Sequence, residues 1–162
     1  MKNIKLKTGF SLVEVLIALA ISSMLLAAVA FAFQGTMMNY SENEDIFKTI
    51  NSARQALSRI TTQLRTADDV NDSAPINQCQ LKTPDDQFIT YDYRSGENKL
   101  YLVSGGSDYL LCENVTAMTF TKDTFVKNGF IVVKSVQISM TVQNGDVKNT
   151  ISAASVIRRN LD

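Results

Sequence analysis

Glu14 is an acidic side chain inside an apolar run, and it is the residue whose position most calls for a chemical explanation. Residues 10–33 contain 20 apolar residues out of 24, and Glu14 is the one charged residue among them. A carboxylate inside a bilayer costs a few kcal/mol on insertion scales, so such residues usually have a partner or a function. Either Glu14 lies near the membrane surface and reaches water, or it has a specific partner.

Other residue types that carry chemistry are sparse. The 162 residues include no histidine, which excludes catalytic triads with an imidazole base and most catalytic zinc sites. There is no Gly-x-x-x-x-Gly-Lys phosphate loop and no Cys-x-x-Cys pair. Five aspartates lack the spacing of a calcium loop and fit a solvated turn better: Asp68, Asp69, Asp72, Asp85 and Asp86. We therefore predict no catalytic residue, no cofactor and no metal site.

The charge balance also limits the partners. Sixteen Lys and Arg residues oppose sixteen Asp and Glu residues, so the chain has no general attraction for nucleic acid or for an anionic membrane surface. The basic residues are scattered, with Arg158-Arg159 as the one adjacent pair in the head. No nucleic-acid partner is indicated.

The apolar run is long enough to cross a membrane. Its 24 residues would span roughly 36 Å as a helix, against a hydrocarbon core of about 30 Å. Lys2, Lys5 and Lys7 precede it, which places the N-terminus in the cytoplasm and the rest of the chain outside. A secretory signal cleaved after Ala28-Val29-Ala30 is the rival interpretation. The length of the run, its acid and its continuation to Phe33 count against it.

The segment Lys7-Thr8-Gly9-Phe10-Ser11-Leu12-Val13-Glu14-Val15 resembles the prepilin signal of type IV pilins and type II secretion pseudopilins. The resemblance implies that a prepilin peptidase removes the leader, residues 1–9, by cutting between Gly9 and Phe10 and then methylates the amine of Phe10. It also implies that Glu14 pairs with the Phe10 amine of a neighbouring subunit during assembly. The partners it implies are the peptidase, other pilins and an inner-membrane assembly platform.

The sequence pattern after the apolar run predicts that residues 34–66 form a second, amphipathic part of the same helix. Its apolar residues follow helical spacing: Ile46, Phe47, Ile50, Ala53, Leu57, Ile60 and Leu64. No proline occurs from Phe10 to Arg65, so one helix of about 55 residues is expected, with a weak point around Gly35–Asn43. Packing against a globular head is favoured over a coiled coil, which would need more heptads.

The rest of the chain predicts a connecting loop, residues 67–86, and a β-sheet head, residues 87–162. Alternating segments indicate strands at 87–93, 99–103, 109–112, 115–122, 130–142 and 147–157. Asn144-Gly145 is a type I′ turn signal. The expected class is α+β, with one long helix on a mainly antiparallel sheet. This order of elements is more similar to minor pilins and pseudopilins of the J or W type than to major pilins.

The two cysteines, Cys79 and Cys112, stand 33 positions apart. An even number of cysteines in an exported domain indicates a disulfide, which would tie the 67–86 segment to the sheet. Two free buried thiols are the alternative.

Two functions therefore remain open. The first is a structural minor pilin or pseudopilin, not an enzyme, anchored in the inner membrane with its head in the periplasm and later built into a pilus or pseudopilus. The second is a single-pass, membrane-anchored binding module that forms no filament. The N-terminus of the mature chain separates the two.

Overall fold

A long N-terminal helix opens the chain. The computed structural model describes residues 9–127 and 129–158. Helix α1 extends from Leu12 to Thr66, so the predicted continuous helix is confirmed, including its end at Thr66, and it stays helical through Gly35. The chain divides into two compact units, the first ending at Asn43 and the second, the head, beginning at Glu44.

The part of α1 inside the head buries one face. The buried positions follow helical spacing and are small or aliphatic: Ala53, Ala56, Leu57, Ile60 and Leu64. This agrees with the predicted stripe, with one exception. Phe47 was expected to pack inward, but it is 63% exposed, because the neighbouring Ile46 and Ile50 are the residues that turn toward the core.

Within residues 67–127 and 129–158, eight strands follow the helix, and the α+β class is confirmed. They are β1 Asp69–Val70, β2 Gln78–Lys82, β3 Phe88–Arg94, β4 Lys99–Ser104, β5 Ser107–Cys112, β6 Val115–Lys127, β7 Phe130–Asn144 and β8 Val147–Val156. Every pairing is antiparallel. The strands form two sheets, β1-β2-β3-β4-β5 and β6-β7-β8, where a single sheet was expected.

The prediction that residues 67–86 form a connecting loop is wrong in part. Strand β2 lies inside that segment and pairs with β3 along its whole length. Its buried residues, Cys79 and Leu81, alternate with Gln78, Gln80 and Lys82, which are only partly buried. This alternation is too short to outweigh the flanking prolines and aspartates when only the sequence is read.

Two hairpin turns contain glycines with positive φ, and one of the two differs from the sequence-based expectation. Ser104 pairs with Ser107 across Gly105 and Gly106, and both glycines have positive φ, as a type I′ turn requires. In the β7–β8 hairpin the turn residues are Gly145 and Asp146, flanked by Asn144. Only the first of them has positive φ, at 56°. That is the pattern of a type II′ turn, so the type I′ assignment there is wrong.

Hydrogen bonds fix the helix to the β7–β8 sheet near both ends of the contact. The Asn144 side-chain amide donates to Thr49 Oγ1 at 3.1 Å, and the buried Ser155 hydroxyl donates to the Thr61 carbonyl at 3.1 Å. From the other sheet, the Tyr91 hydroxyl bonds the Gln63 side chain. Strand β7 therefore runs antiparallel to the helix, and both sheets bond the helix near Thr61 and Gln63, within one turn of α1.

Shortening a side chain in the core should lower the stability of the head. Ile60 is 0% exposed, so Ile60→Ala removes buried methyl groups and leaves a cavity. The free energy of unfolding of the head should fall by roughly 2–5 kcal/mol. Denaturation of the full chain in detergent, followed by circular dichroism, measures this. The control is Gln55→Ala on the exposed face of the same helix, and equal losses for the two variants would contradict the packing.

Candidate functional site

The Gly9–Phe10 peptide bond lies outside any regular element. Gly9, Phe10 and Ser11 have no assigned secondary structure, and the helix begins one residue later at Leu12. Phe10 is 82% exposed, and a Cβ added at Gly9 would meet nothing within 4 Å. The bond predicted to be cut is therefore accessible in the isolated chain. Residues 1–8 of the predicted leader lie outside the described residues.

Ser11 caps the helix. Its hydroxyl oxygen accepts a hydrogen bond from the Glu14 backbone N–H at 3.2 Å. Its carbonyl oxygen accepts from the backbone N–H groups of Glu14 at 3.1 Å and Val15 at 3.2 Å. This is the geometry of an N-cap, in which a side-chain oxygen satisfies an amide that the helix itself leaves free. Ser11 was not among the predicted site residues, although the Ser-x-x-Glu spacing is a readable capping signal.

Glu14 lies in the first turn of α1. A negative charge there interacts favourably with the positive end of the helix dipole. Within residues 9–127 and 129–158, no basic side chain forms a salt bridge with Glu14. The carboxylate is exposed, and it is therefore available to a partner outside this part of the chain.

The helix around Glu14 offers apolar surface on every side. Every residue from Ser11 to Asp45 is exposed, including Leu25 at 63%, Leu26 at 70% and Phe31 at 74%. By length and composition, α1 is long and apolar enough to cross a membrane. An apolar helix with no buried face requires lipid or other apolar helices around it.

The aspartates of the 67–86 segment have local roles. Asp86 forms a salt bridge with Lys82 at 2.7 Å, Asp69 accepts from the Val70 N–H at 2.8 Å, and Asp72 accepts from the Ser73 hydroxyl at 3.2 Å. No group of three or more Asp, Glu, Cys or His residues able to hold a metal occurs in the described part of the chain.

The predicted Cys79–Cys112 disulfide does not form in this fold. Both cysteines are free and buried. Cys79 lies on β2 and Cys112 on β5, with β3 and β4 between them. Three strand spacings amount to roughly 14 Å, about twice the largest Cα separation that a disulfide bridges. Burial raises the pKa of each thiol to about 11, so both cysteines are unreactive, apolar-like core residues.

Comparison with protein families gives a match at the N-terminus. Residues 4–30 match the family model described as the prokaryotic N-terminal methylation motif. This stretch contains the Gly9–Phe10 bond, Ser11, Glu14 and most of the apolar run, and it supports a resemblance to prepilin-type proteins. No curated protein and no solved structure matches the chain.

The free thiols make a direct prediction. When the protein is purified without reductant, N-ethylmaleimide should label neither cysteine in the native state at pH 8. With a pKa of about 11, roughly one thiol in a thousand is ionised there, and both are buried. After unfolding in urea, mass spectrometry should show two labels per chain. Absence of labelling after unfolding, reversed by a reductant, would show that the disulfide exists.

Proposed function

We propose that this protein is a minor pilin or pseudopilin, most similar to the J or W type, and that its role is structural. The observation that carries the proposal is that the matched motif and the accessible bond lie at the same place in the chain. The methylation motif at residues 4–30 covers the point where an accessible Gly9–Phe10 bond is followed at once by an exposed, apolar helix. A β-sheet head on the second half of that helix completes a pilin-like organisation.

Cleavage at Gly9 would change the charge of the chain without releasing it from the membrane. The leader carries Lys2, Lys5 and Lys7, so the mature chain from Phe10 has 13 basic and 16 acidic side chains, a formal charge of −3. A cut before the apolar run, unlike a secretory cut after it, keeps the anchor. The head would then lie in the periplasm, and the prepilin peptidase is the first partner.

Glu14 would act in assembly. Cleavage creates a positive amine at Phe10, and the exposed Glu14 carboxylate of a neighbouring subunit is a suitable counter-ion. Two unit charges 4 Å apart attract by about 4 kcal/mol at an effective dielectric constant of 20, compared with about 1 kcal/mol in water. Such a pair favours one axial register between neighbouring helices. Other pilins and the inner-membrane assembly platform are the partners in this step.

The mature N-terminus tests the proposal. Mass spectrometry of the N-terminal peptide from protein produced in a bacterium with a prepilin peptidase should show N-methylated Phe10 as the first residue. The control is the same strain without the peptidase, in which the leader should remain. A chain beginning at Phe31, or an uncut Met1 in the presence of the peptidase, would contradict the proposal and leave a membrane-anchored binding module as the better description.

Glu14 makes a second test possible. Glu14→Gln keeps the size of the side chain and removes its charge, so the variant should be cleaved at Gly9 but enter filaments at least tenfold less, given an ion pair of more than 1.4 kcal/mol in the packed helices. Quantitative immunoblotting of sheared filaments against whole cells measures the ratio. Glu42→Gln, which changes an exposed acid of the same helix, is the matched control. Normal incorporation of Glu14→Gln would exclude the assembly role.

A further inference from the structure

We infer that Ser11 is a positioning residue for the processing reaction: its hydroxyl sets the start of α1 and so keeps the Gly9–Phe10 bond outside the helix. This inference rests on the proposed function, because it concerns the same cleavage. It assigns a role to a residue that is neither part of the cut bond nor the assembly acid.

The geometry shows where the helix stops. Ser11 accepts the Glu14 N–H through both its hydroxyl oxygen, at 3.2 Å, and its carbonyl oxygen, at 3.1 Å. Because the Ser11 side chain takes this amide, the helix has a defined first residue, Leu12, and Phe10 stays outside it. Ser11 thereby leaves two residues, Phe10 and itself, between the cut bond and the first helical turn.

The helix start matters because a peptidase must reach both sides of the bond. If α1 continued toward the N-terminus, the Gly9 and Phe10 carbonyls would accept hydrogen bonds from amides four residues later. The bond would then lie within a helical turn, where a peptidase cannot hold it in an extended form. Gly9 disfavours helix by about 1 kcal/mol relative to alanine, but Phe10 and Ser11 disfavour it less. The cap at Ser11 supplies the stop.

Substitutions at position 11 separate this role from direct recognition of the hydroxyl by the peptidase. Alanine cannot cap and is the best helix former. Asparagine caps about as well as serine but has no hydroxyl, whereas threonine has both properties. If Ser11 acts as a cap, the asparagine variant should be cleaved like the unchanged chain. If the peptidase recognises the hydroxyl, the asparagine variant should be cleaved as slowly as the alanine variant.

The test is a pulse–chase measurement of leader removal from the full chain in cells containing the peptidase. Ser11→Ala should be cleaved roughly fivefold more slowly, the factor that corresponds to loss of a typical cap. Ser11→Asn and Ser11→Thr should stay within about twofold of the unchanged chain. The matched control is Ser23→Ala, which removes a hydroxyl that donates to the Ala20 carbonyl at 2.8 Å within the same helix, and its rate should not change.

A second measurement reports on the backbone. In the full chain in detergent micelles, the Cα chemical shift of Phe10 should move toward helical values in Ser11→Ala but not in Ser11→Asn. Slower cleavage of Ser11→Ala without that shift would overturn the inference, as would unchanged cleavage of Ser11→Ala. Slow cleavage of Ser11→Asn beside normal cleavage of Ser11→Thr would show hydroxyl recognition instead. If the unchanged chain is never cut, the proposed function itself fails, and this inference fails with it.

Discussion

The first half of α1 determines which environment the protein requires, because it presents apolar side chains in every direction. All residues from Ser11 to Asp45 are exposed in the isolated chain, and transferring a side chain such as Leu26 from water gains roughly 2 kcal/mol. A run of this length is stable only within lipid or among other apolar helices. In the proposed function, this segment first lies in the lipid of the membrane and then moves into the filament core, where other apolar helices surround it.

The same helix serves two environments because its sequence pattern changes while its backbone does not. Up to Phe33 it is apolar all round, whereas from Ile46 it has one apolar face, on which Ile60 and Leu64 are completely buried. No proline interrupts it, and it remains helical at Gly35. Ser11 defines one end and the buried stripe defines the other. A substitution at Ser11 should therefore leave the packing of the head intact, and a substitution in the buried stripe should leave the start of the helix intact.

Strong, long patterns in the sequence were sufficient to predict the helix and the longer hairpins, and short or competing patterns were not. Strand β2 was missed because only Cys79 and Leu81 mark its buried face. The division into two sheets depends on long-range pairing that no local period encodes. The prediction of the disulfide was wrong for the same reason, because counting cysteines does not reveal that two strands separate Cys79 from Cys112. At the candidate site, the motif marked Gly9, Phe10 and Glu14 as candidates, while Ser11 was missed although its Ser-x-x-Glu spacing to Glu14 is a capping signal.

In the proposed function, the apolar half of α1 is finally surrounded by the helices of other subunits. The most direct measurement is photo-crosslinking in cells from a reactive residue placed at Leu25, an exposed position in the middle of that segment. Covalent products with other proteins that carry a prepilin-type N-terminal helix are expected, and these products should be lost when the prepilin peptidase is absent. Products with lipid alone, unchanged by the peptidase, would show that the segment stays a membrane anchor.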